Sequence, residues 1–311
     1  MKHFSHMDAS SASEASKNLK SGTGWAIAGG TDLLGTLKDE ILPTYPEKLV
    51  NLKTIPGLDK IVDDGDQVRI GALVKLADVA SSDVVQNRCA ALAEAAGRVA
   101  SPTIRTMSTL GGNMCQMHRC WYFRAPNDRF HCKRKGGKYC PARIGDNRYH
   151  SIFGDQNGCY AINSQDTATA LVALGAKVKT TSRTIEAEKF FVANGVRSCS
   201  LEDGEVVTEV IVPAVQGSAF EKFALRKSID FAVASCAVAK TDDGVRVVLG
   251  GVYPAPWRSA EAEAELSGGV SDRTAERAAD AAVAPASPLA KNAYKVEIAR
   301  TLVKRTLERV K

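Results

Sequence analysis

No run of apolar residues in this 311-residue chain approaches the ~20 needed to cross a membrane. The longest, Phe231 to Ala239, is about half that and suits a buried strand or helix. The N-terminal segment MKHFSHMDASSASEASKNLK has acidic residues where a secretory leader has its apolar core, so no export signal is expected. The expected compartment is the cytoplasm, or the periplasm if a signal-bearing partner carries the chain out. Hydrolysis lacks its usual parts: there is no Ser–His–Asp set, no H-E-x-x-H and no acid/base pair. There is also no internal repeat, no G-x-G-x-x-G and no Walker A loop. With 44% hydrophobic and 24% charged residues, the chain is neither disordered nor fibrous. At about 150 residues per domain its length suggests two domains.

What is present is unevenly placed. The net charge is +6, and the segment between Cys115 and Cys159 accounts for all of it: Arg119, Arg124, Arg129, Lys133, Arg134, Lys135, Lys138, Arg143 and Arg148 against Asp128, Asp146 and Asp155. Such a patch could meet nucleic acid, but five of the eight cysteines, Cys115, Cys120, Cys132, Cys140 and Cys159, lie in the same stretch. Thiolates among cations point instead to a metal centre whose negative charge needs offsetting. From Cys115 to about Gly158 no helical or strand period is sustained. A loop that long needs a nucleus other than an apolar core, and a bound metal would be one.

Cys120, Cys132, Cys140 and Cys159 follow C-x11-C-x7-C-x18-C, which is neither a zinc ribbon nor a ferredoxin run. From spacing alone an iron–sulfur cluster, a structural zinc and free thiols all stay open. Cys115, His118, His131 and His150 could each replace a ligand, whereas Cys89, Cys199 and Cys236 read as buried small apolar residues. Gly136-Gly137 would let the backbone wrap closely between two of the ligand candidates.

Two glycine-rich segments suggest a phosphate cradle. Ile27-Ala28-Gly29-Gly30-Thr31-Asp32-Leu33-Leu34 joins a short strand to a helix, and Thr109-Leu110-Gly111-Gly112-Asn113 forms a second small-residue loop. Two such loops could hold a dinucleotide pyrophosphate, and two tight turns is the plainer reading. Asp166, opening a helix over 167–174, reads as an N-cap or as a ligand contact. Lys222, Arg226 and Lys227 form a basic run. Strand pairs are expected at 60–62 with 67–71 and at 232–238 with 245–252, helices over 260–266, 272–283 and 290–310, and a boundary near Gln216-Gly217-Ser218.

In order along the chain, IAGGTDLL at 27–34, RIGALV at 69–74, IRTMSTLGGN at 104–113, the Asp166 segment, KFALR at 222–226 and LGGVYPAPWR at 249–258 resemble the FAD-binding medium subunits of the xanthine dehydrogenase family of molybdenum hydroxylases. The segments around Cys120, Cys132, Cys140 and Cys159 are most similar to the [4Fe-4S]-containing medium subunits of bacterial aldehyde oxidoreductases. In the related 4-hydroxybenzoyl-CoA reductases the last cysteine falls nearer Arg148-Tyr149-His150, where Tyr149 cannot serve, so the resemblance makes Cys159 the fourth ligand.

The resemblance implies an α+β chain. A two-part FAD-binding domain of the vanillyl-alcohol-oxidase/PCMH type spans 1–217, with a cluster-binding insertion over about 115–160. A C-terminal α+β domain with a small antiparallel sheet and helices spans 218–311. It implies that Ile27, Ala28, Gly29, Gly30, Thr31, Asp32, Leu33 and Leu34, with Thr109, Gly112 and Asn113, cradle the FAD pyrophosphate. Asp166 would contact the ribityl or adenosine portion, Lys222 would lie near the isoalloxazine, and Ile229 and Phe231 stand where relatives place an aromatic residue by the flavin. No residue of this chain would be catalytic. FAD and a [4Fe-4S] cluster would pass electrons to a small-molecule or protein acceptor, with molybdopterin on a large partner subunit and two [2Fe-2S] clusters on a small one. Lys133, Arg134 and Lys135 would raise the cluster potential. The complex would oxidise an aldehyde or N-heterocycle. The alternatives are a reductive aryl-CoA enzyme and a zinc-structured nucleotide-binding module.

Overall fold

The computed structural model describes residues 1–20, 22–226 and 228–311, so Lys227 of the basic run lies outside the described residues. Three small sheets carry the fold. The first has strands β1 (Ser5–Asp8), β2 (Gly24–Ile27) and β3 (Lys48–Asn51), all parallel, with β3 in the middle. The second contains β4 (Ile61–Asp63), β5 (Gln67–Gly71), β6 (Lys177–Thr180), β7 (Thr184–Glu186) and β8 (Val207–Pro213), ordered β4-β5-β8-β6-β7 and antiparallel throughout. The third is the antiparallel β12-β11-β10-β9, built from β9 (Gly217–Phe223), β10 (Ala234–Thr241), β11 (Gly244–Gly250) and β12 (Trp257–Arg258). This is the expected α+β fold, with a small antiparallel C-terminal sheet and helices.

Alternation decides which face of each element is covered. In β5, Val68 and Ile70 point into a core shared with the alanine-rich helix Ala90–Arg98 and the wholly buried helix Asp166–Ala173. Phe220, Ala237, Ala239 and Val248 of the third sheet close that core from the other side. The opposite face of the same sheet, with Cys236, Val238, Val247 and Leu249, packs on helices Asp272–Val283 and Tyr294–Glu308. A capping box of Ser271 and Thr274 starts the first of these helices, and its buried stripe is alanine, so the two helices approach closely.

The stretch from 116 to 165 contains only three single-turn 3-10 segments, as its lack of period suggests. It has its own small core, in which Cys120, Cys132 and Cys159 sit with Ile41, Leu42, Phe123, Ala161 and Ala193. One local reading changes. Leu110–Cys115 is a helix rather than a loop. Two glycines lower helix propensity, but Thr109 caps the helix, and the Leu110 and Gly111 N–H groups donate to the carbonyls of Val74 (2.8 Å) and Ala72 (2.9 Å). A Cβ on Gly111 would stand 2.9 Å from that of Ala72, so only glycine allows this approach.

Candidate functional site

The two glycine-rich segments meet. Gly30 takes φ +70°, a left-handed conformation suited to glycine, as the chain leaves β2 for the helix Leu33–Lys38. A Cβ on Gly29 would fall 2.2 Å from the Met107 carbonyl oxygen. Beside it the Thr31 and Ser108 hydroxyls are 2.9 Å apart. Thr109 accepts from the Gly112 N–H at 3.1 Å, and Asn113 Oδ1 accepts from the Thr167 hydroxyl at 2.6 Å. Residues 27–34, 107–113 and the 166–167 helix start are thus one connected wall. Leu34, Met107, Ile229 and Phe231 leave large apolar surface exposed at these segments. Ile229 holds φ +68°, a strained setting for a β-branched residue, and its N–H donates to the Ala100 carbonyl at 3.1 Å. Exposed apolar side chains beside glycine turns that admit no Cβ are what a flavin dinucleotide needs, so the residues fit FAD.

Asp166 and Lys222 find each other. Asp166 is the first residue of its helix rather than its cap, and no side chain caps that end. Its Oδ2 accepts from Lys222 Nζ at 2.6 Å with both side chains buried, and Lys222 also donates to the Arg98 carbonyl at 3.0 Å. Burial pushes the Asp166 carboxyl above the ordinary range, and the lysine only partly offsets that.

Asp32 turns its carboxylate toward the cysteine-rich segment. Oδ1 accepts from Arg119 Nη2 (2.6 Å) and Arg124 Nη2 (2.7 Å), and Oδ2 from the Met117 N–H (3.0 Å). Arg119 also lies over the Phe231 ring, 4.7 Å from its centre. Sequence reasoning missed these two arginines as structural ties. The signal was present: basic residues flank Cys120 on both sides, with no acidic residue from 116 to 127 to meet them.

Cys120, Cys132, Cys140 and Cys159 line one cavity with Tyr122, Phe123, Lys133, Arg134, Pro141 and Ala161. Gly136 has φ +90°, and a Cβ on Gly137 would stand 1.8 Å from the His131 carbonyl oxygen, so the backbone wraps closely there. His150 Nε2 is 3.2 Å from Cys120 Sγ. Cys159 Sγ accepts from the Ala161 N–H at 3.4 Å and from Arg134 Nη1 at 3.9 Å. Burial pushes the Cys120 thiol up to about 12 and raises Cys159 as well. The Cys115 thiol instead hydrogen-bonds that of Cys199, and both are free cysteines. His118 donates from Nε2 to the Pro254 carbonyl at 2.6 Å, and His131 is exposed. Of the four substitutes considered, only His150 touches a lining thiol. Among the described residues no group of three or more His, Cys, Asp or Glu side chains is placed to hold a metal ion.

Residues 2–215 match the family described as the FAD binding domain in molybdopterin dehydrogenase, and residues 218–310 match the CO dehydrogenase flavoprotein C-terminal domain. The chain belongs to the FAD-binding medium subunits of the molybdenum hydroxylases. It is 35% identical to the aldehyde oxidoreductase FAD-binding subunit PaoB of Escherichia coli (strain K12), over 100% of this chain and 98% of that one. It is 33% identical to the carbon monoxide dehydrogenase medium chain of Hydrogenophaga pseudoflava, over 90% and 87%. A solved carbon monoxide dehydrogenase from Hydrogenophaga pseudoflava superposes with a TM-score of 0.74 at 28% identity, covering 99% of this chain and 96% of that chain. This medium subunit is therefore an oxidoreductase subunit that binds FAD. Among the described residues no helix is long and apolar enough to cross a membrane.

Proposed function

We propose that this subunit carries two redox centres, FAD on the paired glycine turns and a [4Fe-4S] cluster on Cys120, Cys132, Cys140 and Cys159. In this reading it takes electrons from a small partner with two [2Fe-2S] clusters and delivers them to an external acceptor. A large molybdopterin partner oxidises an aldehyde or N-heterocycle. The observation that carries the reading is that the four cysteines named from the sequence line a single cavity. Four thiolates suit a structural zinc or a cubane cluster alike; the likeness of the ligand segments to those of the [4Fe-4S]-containing medium subunits is what favours the cluster.

Bound FAD supplies the exchange between one-electron and two-electron transfer that side chains do not provide. The chain's part is to hold and shield it. Backbone N–H groups of 28–33 would hold the pyrophosphate, since those of Leu110, Gly111, Gly112 and Asn113 are bonded within the protein, and Gly29, Gly30 and Gly112 would let it approach. Asp32 contributes through its backbone, since its carboxylate is taken by Arg119 and Arg124. Asp166 and Lys222 act as a buried pair stiffening the wall behind the cofactor. Ile229 and Phe231 would flank the isoalloxazine.

Anaerobic mixing of the intact complex with a panel of aromatic aldehydes and N-heterocycles tests the route. At least one compound should bleach the flavin absorption, and Gly30→Val, which removes the left-handed turn, should abolish that response together with bound flavin. Flavin that stays oxidised while the partner centres are reduced would refute the route.

A further inference from the structure

Lys133, Arg134 and Lys135 are adjacent in sequence but differ in surroundings. Lys133 is exposed. Lys135 is buried and spends its charge on Asp128, with Nζ 2.7 Å from Oδ1. Arg134 is also buried, and each protein partner of its guanidinium is uncharged or a thiol. Nε donates to the Gly195 carbonyl, Nη2 to the Arg197 carbonyl, and Nη1 to His118 Nδ1 at 2.9 Å and to Cys159 Sγ at 3.9 Å. The Phe123 ring lies beneath it, 5.5 Å from centre to guanidinium carbon. His118 donates from Nε2 to the Pro254 carbonyl and receives Arg134 on Nδ1, the pattern of a neutral imidazole, so it adds no second cation.

A buried guanidinium without a carboxylate is unfavourable unless another anion faces it. Among the described residues that contact Arg134, the cavity's Cys159 thiol is the group able to become one. We propose that Arg134 is the positioning residue that compensates the negative charge of the cysteine centre and sets its reduction potential. This rests on the cluster reading above. A reduced cluster carries one more negative charge than an oxidised one, so a fixed cation beside Cys159 favours the reduced form and raises the potential. Lys135, neutralised by Asp128, contributes far less. The geometry therefore narrows the basic run to a single residue.

The test is an EPR-monitored redox titration of the whole complex carrying Arg134→Gln, Arg134→Lys or, at an exposed cation outside the cavity lining, Lys138→Gln, with iron counted in each. At a fixed potential Arg134→Gln should lower the reduced-to-oxidised ratio at least tenfold, a downward shift of about 59 mV for one electron. Arg134→Lys should keep most of the wild-type potential, and Lys138→Gln should change it little. A wild-type complex without the extra iron would remove the cluster reading itself. Full iron with an unmoved potential in Arg134→Gln would leave the cluster standing and overturn the role of Arg134. If Arg134→Gln loses its iron, retention by Arg134→Lys supports charge compensation. Loss of iron from both overturns it in favour of a packing role.

Discussion

The Asp166–Lys222 pair makes the sharpest quantitative prediction. The two side chains are 4% and 3% exposed and 2.6 Å apart, so Lys222→Met strands a carboxylate in the core. Breaking a buried pair from one side costs about 3–5 kcal/mol. At about 2–4 °C per kcal/mol for a chain this large, that lowers Tm by roughly 6–20 °C at pH 7. The pH dependence has a fixed sign. Burial already raises the folded-state value of Asp166, and losing the lysine raises it further. The folded variant then holds a proton that the unfolded chain releases near pH 4. The penalty is largest above the raised folded value and shrinks as pH falls through it toward the unfolded one. Asp166→Leu combined with Lys222→Met removes both charges and should recover most of the loss. Thermal unfolding of the three proteins between pH 5 and 8 is the assay. A single variant that loses less than about 1 kcal/mol, or a loss that grows toward low pH, would refute a buried ion pair as what holds this wall.

Two further substitutions probe the neighbouring ties. Asp32→Asn removes the anion between Arg119 and Arg124; at about 1.5–3 kcal/mol per charged hydrogen bond, less what the amide oxygen retains, the net loss is about 2–3 kcal/mol. Hydrogen exchange of residues 116–124 should speed up roughly 30- to 150-fold, and unchanged exchange would show that Asp32 does not hold the segment. Gly29→Ala drives a Cβ against the Met107 backbone, 2.2 Å away, and neither turn can yield without parting from the other. The variant should release FAD on desalting where the wild type keeps it, and full flavin retention would contradict the cradle.

Much of this was legible before any coordinates. The helix Asp272–Val283 announces itself through its alanine period and Ser271 cap, and the 116–165 stretch through its lack of any period. The cations and the missing period marked the segment, and the resemblance to the [4Fe-4S]-containing medium subunits singled out four of its five cysteines. What could not be read is where distant charges pair. Asp32 lies 87 and 92 positions from Arg119 and Arg124, and Lys222 lies 56 from Asp166; no local pattern encodes partners that far apart. For the same reason Asp166 looked like a helix cap, when its carboxylate serves a strand of another sheet. The helix Leu110–Cys115 was hidden because its glycines obey packing against Ala72 rather than helix propensity.

The most direct test of the central claim is metal and flavin content with the visible spectrum, measured on the complex purified anaerobically with its partners. The account predicts flavin bands over broad iron–sulfur absorption, with about four irons per chain beyond those of the small subunit. Flavin accompanied by stoichiometric zinc and no such iron would contradict it.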